Sequence, residues 1–241
     1  MRIAARSDQG RVRDNNEDCL AYDARLGIAV LADGMGGLRA GEVASATAVE
    51  AVMQHLIENT ERLNPREAGE TLREALDLAN RRVYALADSR REFNGMGTTL
   101  VVGAMHDGHF FAAHVGDSRA YRFRDGALTR LTSDHSLVQQ LVEQGILSAA
   151  EARRAPNRNI VTRAVGIEFE VECDLVEVDA REGDVFLLCS DGLTDMIDDP
   201  AIARFCAAHA ADEPARLVEA LVNAALAEGG FDNVSVVAVK P

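Results

Sequence analysis

The sequence predicts an α+β fold with antiparallel strand pairing. Apolar runs in the middle of the chain are joined by Asp107-Gly108 and Asp125-Gly126, both hairpin signals, so this block reads as a meander and not as alternating βαβ units. The long helical patterns stand outside that block. Four apolar runs also begin or end at an aspartate, three of them beside a glycine: Asp33, Asp117, Asp191 and Asp232.

A chain of 241 residues, 47% hydrophobic, is long enough to bury one sizeable core, and a single domain over 1–241 is expected. The net charge of −14 argues against nucleic acid as a partner, because phosphate neutralisation needs a basic footprint. Acid spread over the surface would serve solubility; acid gathered in one place would hold cations. Cys19, Cys173, Cys189 and Cys206 show neither zinc nor disulfide spacing. No apolar leader follows Met1, and no run approaches the roughly 18 residues of a membrane span. A cytoplasmic, membrane-free, monomeric protein is the expectation.

Residues 2–7 read as a strand. A polar loop follows, carrying Arg13, Glu17 and Asp18; by itself it reads more simply as a solvated approach to a hairpin. Cys19 to Asp23 and Leu26 to Ala32 read as a strand pair. Glu42 to Asn59 repeats Ala44, Ala48, Val49, Val52 and Leu56 at helical spacing, and a second helix is expected from Pro65 to Ser89. Thr98 to Met105, Phe110 to Val115 and Ala120 to Arg124 form the meander. Ser136 to Glu143 reads as a short helix. The segment 144–166 has no clear period, and carries Arg153, Arg154, Arg158 and Arg163 against one acid, Glu151. That suits a surface segment or a flap that meets an anionic substrate. Strands are expected at Val171 to Val178, Asp184 to Ser190 and Asp232 to Val239. Asp191 opens a turn or short helix, and helices follow at Ile202 to Ala210 and Glu213 to Glu228.

Strands that bring Asp33, Asp117, Asp191 and Asp232 to one rim would crowd like charges, which persists cheaply only with cations between them. All-oxygen ligation favours Mg²⁺ or Mn²⁺ over zinc. Gly34, lacking a Cβ, would let its carbonyl approach a metal. Two metals about 4 Å apart can share and activate a water for in-line displacement at phosphorus. Arg13 would supply the fork for phosphate oxygens. Taken singly, each Asp-Gly is equally an ordinary turn.

In order along the chain stand Arg13 with Glu17-Asp18, Asp33-Gly34-Met35-Gly36-Gly37, Gly97-Thr98-Thr99, Gly116-Asp117-Ser118-Arg119, Asp134-His135-Ser136, Thr162-Arg163-Ala164-Val165-Gly166, Ser190-Asp191-Gly192 and Asp232-Asn233. This ordered set resembles the metal-dependent serine/threonine protein phosphatases of the 2C family, in their compact bacterial form. The resemblance implies a four-layer α-β-β-α sandwich: two antiparallel sheets flanked by helix pairs. It implies two Mn²⁺ or Mg²⁺ ions in the core site and a weaker third. Asp33 would bridge the first two, Asp191 and Asp232 would complete one, and the Gly34 carbonyl and water held by Glu17 the other. Asp18 would orient metal-bound water. Asp117, Asp191 and Asp195 would hold the third ion, Arg13 would bind substrate phosphate, and 144–166 would be the family's variable flap. The implied reaction is hydrolysis of phosphoserine and phosphothreonine in proteins, reversing a bacterial Ser/Thr kinase. The implied partners are that kinase and its substrates. A phosphoprotein-binding pseudophosphatase is the rival, opposed by the complete carboxylate set; a phosphatase dedicated to an anti-anti-sigma-type regulator would share the chemistry. Eukaryotic members carry a histidine where this chain has Met35. A thioether has no proton to give, so a metal-bound water is assigned that role. His114 and His135 are the alternatives in principle, each more simply a structural residue.

Overall fold

Strand register explains how the chain gathers its carboxylates. The computed structural model describes residues 1–36 and 40–241; Gly37, read with the glycine run, lies outside the described residues. The strands are β1 (Arg2–Asp8), β2 (Asp18–Asp23), β3 (Ile28–Met35), β4 (Gly97–Thr98), β5 (Leu100–His106), β6 (His109–Val115), β7 (Arg119–Arg124), β8 (Ala127–Arg130), β9 (Asp174–Asp179), β10 (Val185–Cys189) and β11 (Val234–Lys240). One sheet runs β1-β11-β10-β7-β8. The other runs β2-β3-β5-β6-β9, with β4 added against β3. The strand pairs are antiparallel, as the meander predicted.

Helices α1 (Ala40–Glu58) and α2 (Ala68–Ser89) cover the second sheet. Short helices α3 (Leu137–Glu143), α4 (Ala149–Ala152) and α5 (Asp191–Thr194) precede α6 (Asp199–Ala208) and α7 (Pro214–Ala227), which cover the first sheet. The period of two along each strand sorts its side chains between layers. In β3, Ile28, Val30 and Ala32 pack under α1 and α2, while Ala29 and Leu31 face the other sheet. In β10, Leu187 and Cys189 meet the second helix layer, while Phe186 and Leu188 face inward. Phe110 and Phe186 stack across the inter-sheet layer with centroids 4.1 Å apart. Three apolar layers thus hold four structural ones, as the resemblance implied.

Both hairpin signals form: Asp107 (φ 48°), Gly108 (75°), Asp125 (50°) and Gly126 (80°) adopt the left-handed backbone of a type I′ turn. Some boundaries differ from the sequence reading. The second helix starts at Ala68 and not at Pro65, because Asn64 first closes a turn: its carbonyl accepts from Glu67 and Ala68, and its side chain from Arg66. The strand expected from Val171 begins at Asp174. Strand β8, four residues on the sheet edge, has no counterpart in the sequence reading. The patternless segment 144–166 holds α4, whose start is a capping box between Ser148 and Glu151.

Candidate metal centre

At one end of the strands the same period of two passes from apolar to polar residues. In the second sheet Leu31 is followed inward by Asp33, Leu20 is preceded by Asp18, and Val101 by Thr99. In the first sheet Leu188 is followed by Ser190, Val237 is preceded by Ser235, and Ala120 by Ser118. The inter-sheet core therefore ends in a polar rim. Asp18 and Asp33 are direct cross-strand partners on it. The segments beyond the strand ends add Asp191, the first residue of α5 after β10, Asp232 before β11 and Asp117 after β6.

The carboxylates are held by backbone and hydroxyl groups. Asp33 is clamped through its main chain: its amide donates to Thr99 Oγ1 at 3.0 Å, and its carbonyl accepts from Thr98 Oγ1 and the Thr99 amide, both at 2.8 Å. Thr99 Oγ1 in turn meets Ser118 Oγ at 2.8 Å. Ser190 Oγ donates to Asp18 Oδ2 at 2.9 Å. The Glu17 carbonyl accepts from the Gly34 amide at 3.1 Å and from Ser45 Oγ at 2.6 Å. Asn233 ties the Arg13–Glu17 loop to β11: its Oδ1 accepts from the Glu17 amide at 2.8 Å, and its Nδ2 donates to the carbonyls of Gln9 and Asn15.

Gly34 has a steric reason beyond the one read from sequence. A Cβ there would lie 2.1 Å from the Gly41 carbonyl oxygen and 2.7 Å from that of Glu17. Gly41 has a matching reason, since its own Cβ would stand 2.8 Å from Glu17 Cδ. The first turn of α1 is therefore pressed against the Glu17 side chain.

Electrostatics report the crowding. Burial, followed by the charges of Asp18, Asp191, Asp117 and Asp232, holds the Asp33 carboxyl well above the ordinary carboxylate range. Asp191 is raised likewise, by burial and then by Asp117 and Asp232. Burial is also the leading cause at Asp18 and Asp117, each pushed up to about 6. Asp18 Oδ1 and Asp191 Oδ1 are buried without a hydrogen-bond partner. Unpartnered carboxylate oxygens among mutually repelling acids are what divalent cations satisfy, so the donor set fits hard metal ions.

Arg13 stands at the mouth, with Nη2 donating to Asp232 Oδ2 at 2.7 Å. Arg13, Glu17, Asp33, Gly34, Met35, Asp117, Asp191 and Asp232 line one cleft of about 230 Å³. Asp18 lies behind it, against Ser190. Asp195 lies outside it, in an adjoining cavity of about 300 Å³ that Arg153, Arg158 and Asn159 of the segment 144–166 help to wall. Asp117, Asp191 and Asn159 line both spaces. Neither His114 nor His135 reaches the cleft. Both are buried; His114 Nε2 faces the Ser133 carbonyl, and His135 Nδ1 and Nε2 face the Gly116 amide and Asp174.

Comparison with known proteins decides the family. The family model described as protein phosphatase 2C matches residues 7–227. The chain belongs to the protein phosphatase 2C family. The serine/threonine phosphatase stp of Listeria monocytogenes is 37% identical over 244 residues, covering 100% of this chain and 96% of that one. The crystal structure of the Mycobacterium tuberculosis serine/threonine phosphatase PstP/Ppp superposes with a TM-score of 0.90 at 39% identity, over 99% of this chain and 97% of that one. A crystal structure of the PstP catalytic domain in complex with two manganese ions gives a TM-score of 0.88 at 38% identity, over 99% and 97% of the two chains. Within the 2C family, then, this chain has the α-β-β-α fold that the ordered motifs implied.

The motif reading did not single out Ser190, Thr99, Ser118 and Asn233 as the groups that hold the ligands. The signal was present: extending each strand's inward-facing positions by two residues lands on the three hydroxyls.

Proposed function

We propose that the rim carboxylates form the binuclear centre of a phosphatase acting on phosphoserine and phosphothreonine in proteins. The carrying observation is the pair of unpartnered buried oxygens, Asp18 Oδ1 and Asp191 Oδ1, within a carboxylate cluster that opens on a cleft with Arg13 at its mouth. Asp33, Asp191, Asp232, the Gly34 carbonyl and water held by Glu17 would hold two Mn²⁺ or Mg²⁺ ions. Asp117, Asp191 and Asp195 would be the donors for a weaker third ion. When bound, the cations supply an activated water and neutralise charge developing on the phosphoryl group.

The protein's own part is positioning. Arg13 exchanges Asp232 for phosphate oxygens, which a guanidinium fork holds in two places. Asp18, fixed by Ser190, keeps Oδ1 unpartnered behind the cleft, able to accept a hydrogen bond from a water and so orient it. Met35 lines the cleft with no proton to offer, so the leaving serine or threonine oxygen takes its proton from water. The natural partners on this reading are phosphoproteins made by a Ser/Thr kinase. Among the described residues no helix is long and apolar enough to cross a membrane, and we place the enzyme in the cytoplasm as a single-domain monomer with a flap at 144–166.

Asp33→Asn removes the charge at the centre of the cluster and leaves the backbone clamp in place. It should abolish chelator-sensitive hydrolysis of a phosphothreonine peptide, while circular dichroism stays unchanged. Full turnover by that variant would overturn the metal assignment.

A further inference from the structure

The turn that carries Asp117 is fastened to the segment 133–135 by three contacts in register. His114 Nε2 lies 2.9 Å from the Ser133 carbonyl and therefore donates to it. The His135 amide donates to the Gly116 carbonyl at 3.0 Å. The Gly116 amide donates back to His135 Nδ1 at 3.2 Å. From the other side Thr99 presses on the turn: a Cβ on Gly116, whose φ is 101°, would lie 2.7 Å from Thr99 Cβ.

An imidazole that accepts at Nδ1 carries its single hydrogen on Nε2. Here Nε2 faces Asp174 Oδ1 at 3.5 Å, and Arg163 Nη1 donates to the same oxygen at 3.0 Å. Burial keeps the His135 ring neutral, pushing its pKa down to about 4, and the ring stacks on His114 at 4.6 Å. Two histidines and an aspartate whose donor atoms lie within 4.8 Å of one another have the composition of a metal site. The geometry opposes that use. The Arg163 guanidinium stands 3.0 Å from the Asp174 oxygen and 3.4 Å from His135 Nε2, and a ring already accepting at Nδ1 has no Nε2 lone pair to give.

We infer that His135 is a positioning residue for Asp117, its Nδ1 fixing the Gly116 amide and with it the turn that delivers the carboxylate. This rests on the reading of Asp117 as a cation ligand. The same residue anchors the return of the flap, since its carbonyl accepts from the Thr162 amide at 2.7 Å. His135 thus sets the mutual position of Asp117 and the flap, which wall the cavity between them.

The test compares His135→Asn with His135→Gln. Asparagine places its Oδ1 where Nδ1 sits; the glutamine amide reaches only towards Nε2. In the metal-free wild type, ¹⁵N NMR should show the Nε2–H tautomer and slow exchange of the Gly116 amide. The Asn variant should keep that protection and need Mn²⁺ within about twofold of wild type for half-maximal turnover of a phosphothreonine peptide. The Gln variant should lose protection and need about tenfold more Mn²⁺, the range typical of lost outer-sphere partners. An Nδ1–H tautomer, a protected Gly116 in the Gln variant, or equal losses in both variants would overturn the inference. If the Gln variant does not fold, loss of Gly116 protection in the Asn variant overturns it. Asp117→Asn tests the underlying ligand reading separately: an unchanged Mn²⁺ requirement there removes that reading, while tautomer and exchange still judge the clasp.

Discussion

Gly34 shows how much one residue can settle. Its strand pairing with Thr98 is ordinary, and its missing Cβ leaves room for the Gly41 carbonyl, 2.1 Å from where that carbon would be. Gly34→Ala must therefore push α1 or the Glu17 backbone away from the site. Overpacking of this kind costs about 2 kcal/mol, or roughly 6 °C in melting temperature for a domain of this size. We expect that loss in thermal denaturation, together with weaker Mn²⁺ binding by calorimetry. A variant of wild-type melting temperature and affinity would show that the close approach is relieved without cost. At this scale the aspartates were legible because each interrupts an apolar run or opens one. Ser190, Thr99 and Ser118 were not, because serines and threonines are scattered through the chain and only strand register tells which of them face the rim.

At the scale of elements, the proposed function makes the segment 144–166 the place where substrate docking would be decided. Two of its arginines tie it down: Arg153 donates to the Thr194 carbonyl at 3.1 Å, and Arg158 lies 3.3 Å from Asp195 Oδ2, both on or beside α5. Arg154 is exposed. Neutralising Arg153, Arg154 and Arg158 together should lower kcat/KM for a phosphoprotein about tenfold, equivalent to about 1.4 kcal/mol, and leave p-nitrophenyl phosphate within about twofold. Equal losses on the two substrates would remove the docking role. Arg154→Gln alone separates docking from flap anchoring, since it breaks neither tie. The long helices and the hairpins were legible in the sequence, because amphipathic spacing and Asp-Gly turns are local signals. Strand β8 was not, since its four half-exposed residues are held by pairing with β7. Nor was α4, whose Ser148-to-Glu151 capping box was the one local mark in a segment without hydrophobic period.

Across the whole molecule the site is a seam. Asp18 and Asp33 belong to one sheet, Asp191 and Asp232 to the ends of strands in the other, so any cation held between them joins the two halves of the sandwich. Without metal the seam repels itself, and this fixes the sign of the pH dependence. Asp18 and Asp117 have folded-state pKa values raised to about 6, above the unfolded value near 3.8. The metal-free folded state then holds more protons than the unfolded chain between those limits. Stability is present at the acid end and is lost as pH rises through about 6. A tenfold difference in proton affinity between folded and unfolded chain is worth about 1.4 kcal/mol, so chelator-treated protein should melt roughly 5 °C lower near pH 7.5 than near pH 5. Saturating Mn²⁺ should abolish that fall, because a bound cation favours the deprotonated carboxylates. The same linkage requires that Mn²⁺ added to metal-free protein near pH 6 releases protons, which a pH-stat records directly. A metal-free protein that is most stable near pH 7.5, or metal binding without proton release, would mean that the carboxylates are already ionised and the seam is not under charge strain.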